Sequence, residues 1–189
     1  MISADDSNMG HDQNRAQDVW RLEMTVNLRP ASGHDLDALY RLEQVAFSGD
    51  RFSRRQLWHL LNRANSLTLV AASEELDEGA ERVLGYGTLL FRRGSRRARL
   101  YSFCVHPDAR GTGLGRRLME AIEAEALARE AEALRLEVRV DNRVALGLYR
   151  RMGFLPERWL GDYYEDGCAG WQMTKTLAAR EGAALAGEG

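Results

Sequence analysis

Apolar positions along this chain recur at two spacings, one helical and one alternating, and the switches between them mark its elements. Met24 to Leu28 reads as a short strand, and Asp35 to Phe47 as a helix with Leu36, Leu39, Tyr40 and Ala46 near one face. Ser53 and Gln56 have capping-box spacing, and Leu57, Leu60, Leu61 and Ala64 then repeat at helical intervals, which predicts a second helix. Leu67 to Ala72 and Val83 to Phe91 read as strands. Between them Glu74, Glu75, Asp77, Glu78 and Glu81 predict a solvated hairpin connection. A basic loop from Arg92 to Arg97, with Gly94-Ser95 at its tip, leads to a strand at Leu100 to Val105.

From Leu114 a helix carries Leu118, Met119, Ile122 and Ala126 on one face and charges on the other, so it should pack on a sheet. Leu134 to Val140 alternates: Leu134, Leu136, Val138 and Val140 share one face, and Arg135, Glu137 and Arg139 share the other. Asp141 or Asn142 then caps a short helix with Ala145, Leu148, Tyr149 and Met152 on one side, stopped by Gly153. Trp159 to Tyr164 and Ala169 to Leu177 close the chain as a hairpin turned by Asp166-Gly167. The order is βααβββαβαββ, an α/β (α+β) chain.

A chain of 189 residues suits one domain, expected over residues 24–177. Residues 1–23 are polar and predicted to be a disordered extension, Met24 is an alternative start, and residues 178–189 read as a flexible tail. No apolar run at the amino end is long enough for a signal peptide or membrane span. With 26 basic against 28 acidic residues, composition argues against nucleic acid as a general partner. Cys104 and Cys168 lack metal-ligand spacing, so no metal is expected, and free thiols in the cytoplasm are the default.

Arg110-Gly111-Thr112-Gly113-Leu114-Gly115 lies between an apolar strand and the start of a helix. Glycines let successive backbone N–H groups point at one anion, and the helix adds its unpaired amides and positive dipole end. Arg110, Arg116 and Arg117 place cations beside the turn. The spacing is not the G-x-G-x-x-G of a dinucleotide fold, and arginines stand where a Walker loop needs Lys and Ser or Thr. A diphosphate-bearing ligand is the expected occupant.

Together, Val105-His106-Pro107-Asp108-Ala109 before the glycine turn, Leu136-Glu137-Val138-Arg139, Asn142, and Leu148-Tyr149-Arg150-Arg151-Met152-Gly153-Phe154 resemble the GNAT superfamily of acyl-CoA N-acyltransferases. The resemblance runs from about Met24 to Leu177. Within the superfamily it is nearest the RimI-like branch, which acetylates a protein N-terminal α-amine. It implies a mixed, mostly antiparallel sheet of about seven strands with helices on both faces. It also implies acetyl-CoA as co-substrate: the backbone of Phe103, Cys104 and Val105 would hold the pantetheine arm, residues 110–115 (Arg110, Gly111, Thr112, Gly113, Leu114, Gly115) the diphosphate, and Asn142 and Tyr149 the region of the thioester.

By the same resemblance Glu137 would take the ammonium proton and Tyr149 would protonate the departing thiolate. The residues themselves leave alternatives open. Glu137 is flanked by Arg135 and Arg139, as an ion-paired structural residue would be, and Tyr149 falls on an apolar helix face. His106 has no duty in the family pattern. For the acceptor, the candidates are Phe47 and Phe52 in the first inter-helix connection and Tyr163 and Tyr164 in the last hairpin. That connection reads Phe47-Ser48-Gly49-Asp50-Arg51-Phe52-Ser53, without the Pro-Trp pair usual in the RimI-like branch. The expected acceptor is a protein N-terminus, handled by a monomer or homodimer with no membrane partner. The alternatives are a small amine such as a polyamine, aminoglycoside or amino acid, and a non-catalytic acyl-CoA-binding module.

Overall fold

The computed structural model describes residues 25–47, 51–77 and 80–177. The expectations for residues 1–23, for Met24 and for residues 178–189 therefore lie outside the described residues. The elements are β1 (Val26–Pro30), α1 (Leu36–Ala46), α2 (Arg54–Asn62), β2 (Ser66–Asp77), β3 (Ala80–Phe91), β4 (Arg97–Val105), α3 (Leu114–Ala128), β5 (Ala133–Arg139), α4 (Arg143–Arg151), β6 (Leu155–Leu160) and β7 (Gly170–Thr176). Short 3-10 turns precede α1 and follow β4. The order matches the one read from the sequence.

Several boundaries moved, among them that of β1, which runs to Pro30 where the strand was expected to end at Leu28. β2 and β3 run through the acidic stretch, pairing Leu76 with Glu81 and Asp77 with Ala80. β4 starts at Arg97, three residues before the first aliphatic position of its predicted strand. The strand expected at Trp159 to Tyr164 is instead Leu155–Leu160, which moves Tyr163 and Tyr164 into the connection to β7. Pro156 is tolerated because β6 is the edge strand of the sheet.

The seven strands form one sheet in the order β1-β2-β3-β4-β5-β7-β6. All contacts are antiparallel except β4 with β5, which α3 joins as a crossover. On one face α3 buries Leu118, Met119 and Ile122 against Leu89, Leu100, Leu134, Leu136 and Met173. On the other, Leu39 and Leu42 of α1 and Leu57 of α2 pack on Val70, Tyr86 and Cys104. Gly87 permits the close approach of α3, since a Cβ there would lie 2.3 Å from Ile122 Cδ1.

Two irregularities in the middle of the sheet shape the site. The pairing of β4 with β5 covers only Arg97↔Ala133 to Leu100↔Leu136. Beyond it β4 stays with β3 as far as Val105, while β5 stays with β7 as far as Arg139. The two strands therefore part, and one edge of β4 from Tyr101 to Val105 faces a wedge with no partner strand. The register of β3 against β4 also slips opposite Tyr101, leaving that residue as a bulge. As a result Tyr101 and Ser102, though consecutive, both reach the α1–α2 side, where Tyr101 stacks on Phe52 and Ser102 bonds Tyr86.

Candidate active site

The glycine turn lies at the mouth of this wedge, where β4 gives way to α3. Gly111 and Gly113 have φ of 79° and 85°, in the left-handed region that favours glycine, and a Cβ on either would meet nothing within 4 Å. Backbone conformation, not crowding, therefore demands glycine at both positions. Gly113 occupies the N-cap position of α3 and offers no side chain to cap it. Thr112 does so in part: its hydroxyl donates to the Ala109 carbonyl at 2.8 Å and accepts the Leu114 amide at 3.4 Å. Among the described residues no intrachain acceptor meets the amides of Gly115 and Arg116. Free amides at a helix N-terminus suit a diphosphate. Of the arginines expected there, Arg110 bonds the carbonyls of Val105 and Ala46, Arg116 pairs with Glu120 at 2.9 Å, and Arg117 bonds the carbonyl of Val26.

Arg99 of β4 is the hub of the apex, where the two strands part. It sits in the last turn of pairing before the strands part. Its Nε donates to Glu137 Oε2 at 2.8 Å, its Nη2 reaches the Tyr163 hydroxyl at 3.4 Å, and its guanidinium lies 5.2 Å from the centre of the Tyr101 ring. Tyr101 in turn stacks on Phe52 at 5.4 Å. Glu137 also has Arg135 Nε at 3.5 Å from its other oxygen. Arg139, the neighbour expected beside it, instead holds Asp141 and Asp166, depressing both carboxyls below their usual range, and lies over the Tyr164 ring. It thereby fixes the β6–β7 connection that carries both tyrosines.

Tyr149 projects from α4 between Phe103, at 6.3 Å, and Phe154, at 5.8 Å between ring centres. Burial, with the nearby Tyr164 phenol adding to it, raises its hydroxyl above the ordinary phenol range. Asn142 caps α4, accepting the Ala145 amide at 3.1 Å. Cys104 points away from the wedge into the α1 side, and burial pushes its thiol up to about 12, so only its backbone faces the wedge. His106 caps the 3-10 turn through a 3.2 Å bond from the Asp108 amide. Phe47 closes the end of α1, while residues 48–50 of the connection it opens lie outside the described residues.

Sequence reasoning missed a second cluster. Glu43 of α1 is 1 % exposed; it accepts the Phe52 amide at 2.8 Å and the hydroxyl of Tyr86, whose oxygen lies 2.8 Å from Ser102 Oγ. Its signal was present, since Glu43 follows Leu39 by four positions and so sits in the apolar stripe of α1. A hollow of about 690 Å³ under Arg92, Arg93 and Arg96 lies at the far end of β4 from the wedge.

An unpaired strand edge that ends in a glycine turn and a helix with free N-terminal amides has the shape to receive an extended arm that terminates in an anion. The chain belongs to the acetyltransferase (GNAT) family, whose model matches residues 35–154. It is an acetyltransferase. Among solved structures it is similar to the ribosomal-protein-S18-alanine N-acetyltransferase of Escherichia coli, with 24% identity over 84% of this chain and 99% of that one and a TM-score of 0.70. Arabidopsis thaliana NAA60 in complex with acetyl-CoA is 18% identical over 81% of this chain and 99% of that one, with a TM-score of 0.71. Nourseothricin acetyltransferase is 25% identical over 81% of this chain and 99% of that one, with a TM-score of 0.64. Among the described residues, no helix is long and apolar enough to cross a membrane, and no group of three or more His, Cys, Asp or Glu side chains could hold a metal ion.

Proposed function

We propose that the acceptor is the α-amine of a protein N-terminus. One observation carries this reading: aromatic walls from two different connections, Phe52 with Tyr101 and Tyr163 with Tyr164, flank the wedge and are joined across it by Arg99. Beside it, a hollow of about 260 Å³ lined by Phe52, Arg55, Gln56, His59, Leu60 and Tyr101 has room for one side chain of the acceptor. Resemblance to enzymes of peptide N-termini supports the same reading. A small polycation is less well served, because Arg139 already occupies Asp141 and Asp166.

Acetyl-CoA, when bound, supplies an activated acyl carbon. In this reading the free amides of Gly115 and Arg116 hold its diphosphate, and the open edge of β4 at Phe103, Cys104 and Val105 lines up its arm. Tyr149 stays protonated and donates a hydrogen bond to the leaving sulfur. Full proton transfer from a phenol above its usual value of about 10 to a thiolate of ordinary thiol pKa, about 8.5, runs uphill. Glu137 braces Arg99 and Arg135 at the apex.

The test is turnover on a panel of N-terminal peptides and small amines, followed by CoA release. Peptides are the better substrates if the proposal holds, and turnover confined to small amines overturns it. In the same assay Tyr149→Phe lowers kcat by about 10- to 100-fold. Glu137→Gln keeps more than roughly a tenth of kcat, since the carboxylate is held in place by the bond from Arg99 with Arg135 alongside; a collapse to about 1% or less assigns it the base role instead.

A further inference from the structure

The amine that attacks a thioester must lose a proton, and the apex carboxylate is engaged by Arg99 and Arg135. A second carboxylate is wired to the same region. Glu43 is buried, and each of its oxygens has one partner, the Phe52 amide on Oε2 and the Tyr86 hydroxyl on Oε1. Tyr86 is itself 0 % exposed and meets Ser102 Oγ at 2.8 Å. Ser102 is half-buried and belongs to the stretch of β4 that β5 has left. An unbroken line of hydrogen bonds thus runs from the open stretch of β4 to a carboxylate in the interior.

The groups facing Glu43 leave it receptive. From its own connection Arg51 exerts a distant attraction while its guanidinium bonds the Phe47 carbonyl and Gln44. From β3 it faces the neutral Tyr86 phenol, and from β4 the neutral Cys104 thiol, toward which Arg110 also exerts an attraction. Among the described residues no guanidinium bonds its oxygens, and desolvation, the largest influence, raises its affinity for a proton.

We propose that Ser102, Tyr86 and Glu43 form a proton relay that deprotonates the acceptor amine; this rests on the acetyltransferase reading above. The N–H bond of the amine breaks as its proton passes to Ser102 Oγ. The Ser102 hydroxyl proton passes to the Tyr86 oxygen, and the Tyr86 proton passes to Glu43 Oε1. Each hydroxyl ends with one proton, as it began, and Glu43 ends neutral. The buried charge is extinguished, which a low-dielectric interior favours. The same line in reverse returns the proton to solvent after the product leaves. Ser102 touches the acceptor; Tyr86 and Glu43 act through it.

The experiment measures kcat, both KM values and their pH profiles for the full chain and for Ser102→Ala, Tyr86→Phe and Glu43→Gln, with CoA affinity by calorimetry. Ser102→Ala leaves the bond between Tyr86 and Glu43 in place and is the variant least exposed to misfolding. The relay predicts a fall in kcat of about 100-fold or more for Ser102→Ala and Tyr86→Phe, unchanged CoA affinity, and loss of the acidic limb of the pH profile. It also predicts, by carbon NMR of labelled carboxyl groups, one glutamate titrating above the ordinary range and shifting in Tyr86→Phe. A merely structural anchor for Phe52 would raise the acceptor KM and leave kcat and its pH profile in place. That result, or a folded Ser102→Ala enzyme with unaltered kcat, overturns the relay alone. A chain that neither binds CoA nor turns over any amine overturns the acetyltransferase reading, and the relay falls with it.

Discussion

At Glu43 the cost of burying a carboxylate has a consequence for stability as well as for chemistry. Burial raises its proton affinity above the ordinary value of 4.5, so between that pH and its folded pKa the native state holds more proton than the unfolded chain. Its contribution to stability is fully present below 4.5 and is lost as pH rises through the folded value. Melting temperatures followed against pH should show the advantage of the unaltered chain over Glu43→Gln shrinking as pH rises through that window; a difference that stays constant contradicts this. Glu43 was legible as a lone acid on an apolar helix stripe, but its partners were not. Tyr86 and Ser102 lie 43 and 59 positions away, counted from Glu43, and only the sheet brings them together. Arg99 shows the same limit, since its bond to Glu137 spans 38 positions.

Elements were more legible than their contacts, because helical and alternating periods are local properties of the chain. Ser53 and Gln56 do form the reciprocal cap expected of them, and Leu118, Met119 and Ile122 do meet the sheet. The shift of β6 escaped the pattern for a physical reason. Where strands are exposed on both faces or lie at an edge, backbone pairing proceeds without apolar alternation. β6 illustrates this, with five of its six residues exposed. The packing of α3 on β3 has its own test at Gly87, where an added Cβ would lie 2.3 Å from Ile122 Cδ1 and 3.3 Å from Phe103 Cδ2. Gly87→Ala should cost about 1–3 kcal/mol by overpacking, read as a lowered denaturation midpoint. An unchanged midpoint would mean that α3 sits further from the sheet than described.

For the molecule as a whole, function follows from a parallel contact that stops early. β4 and β5 pair for a few residues and separate, and around the gap lie an open strand edge, a glycine turn, two aromatic walls and two carboxylates, the largely buried Glu137 beside Arg99 and the fully buried Glu43 beneath α1. The glycine turn could be read from sequence because its residue types are specific to its conformation. The wedge could not, since a missing partner leaves no mark in the sequence of either strand. The central claim is that backbone amides at the start of α3 hold the diphosphate of coenzyme A. Isothermal titration of the full chain with CoA, set against pantetheine, which lacks the diphosphate, tests it most directly. Charge-assisted bonds from the amides predict CoA binding about 100-fold or more tighter than pantetheine; equal affinities, or no heat with CoA, would contradict the account.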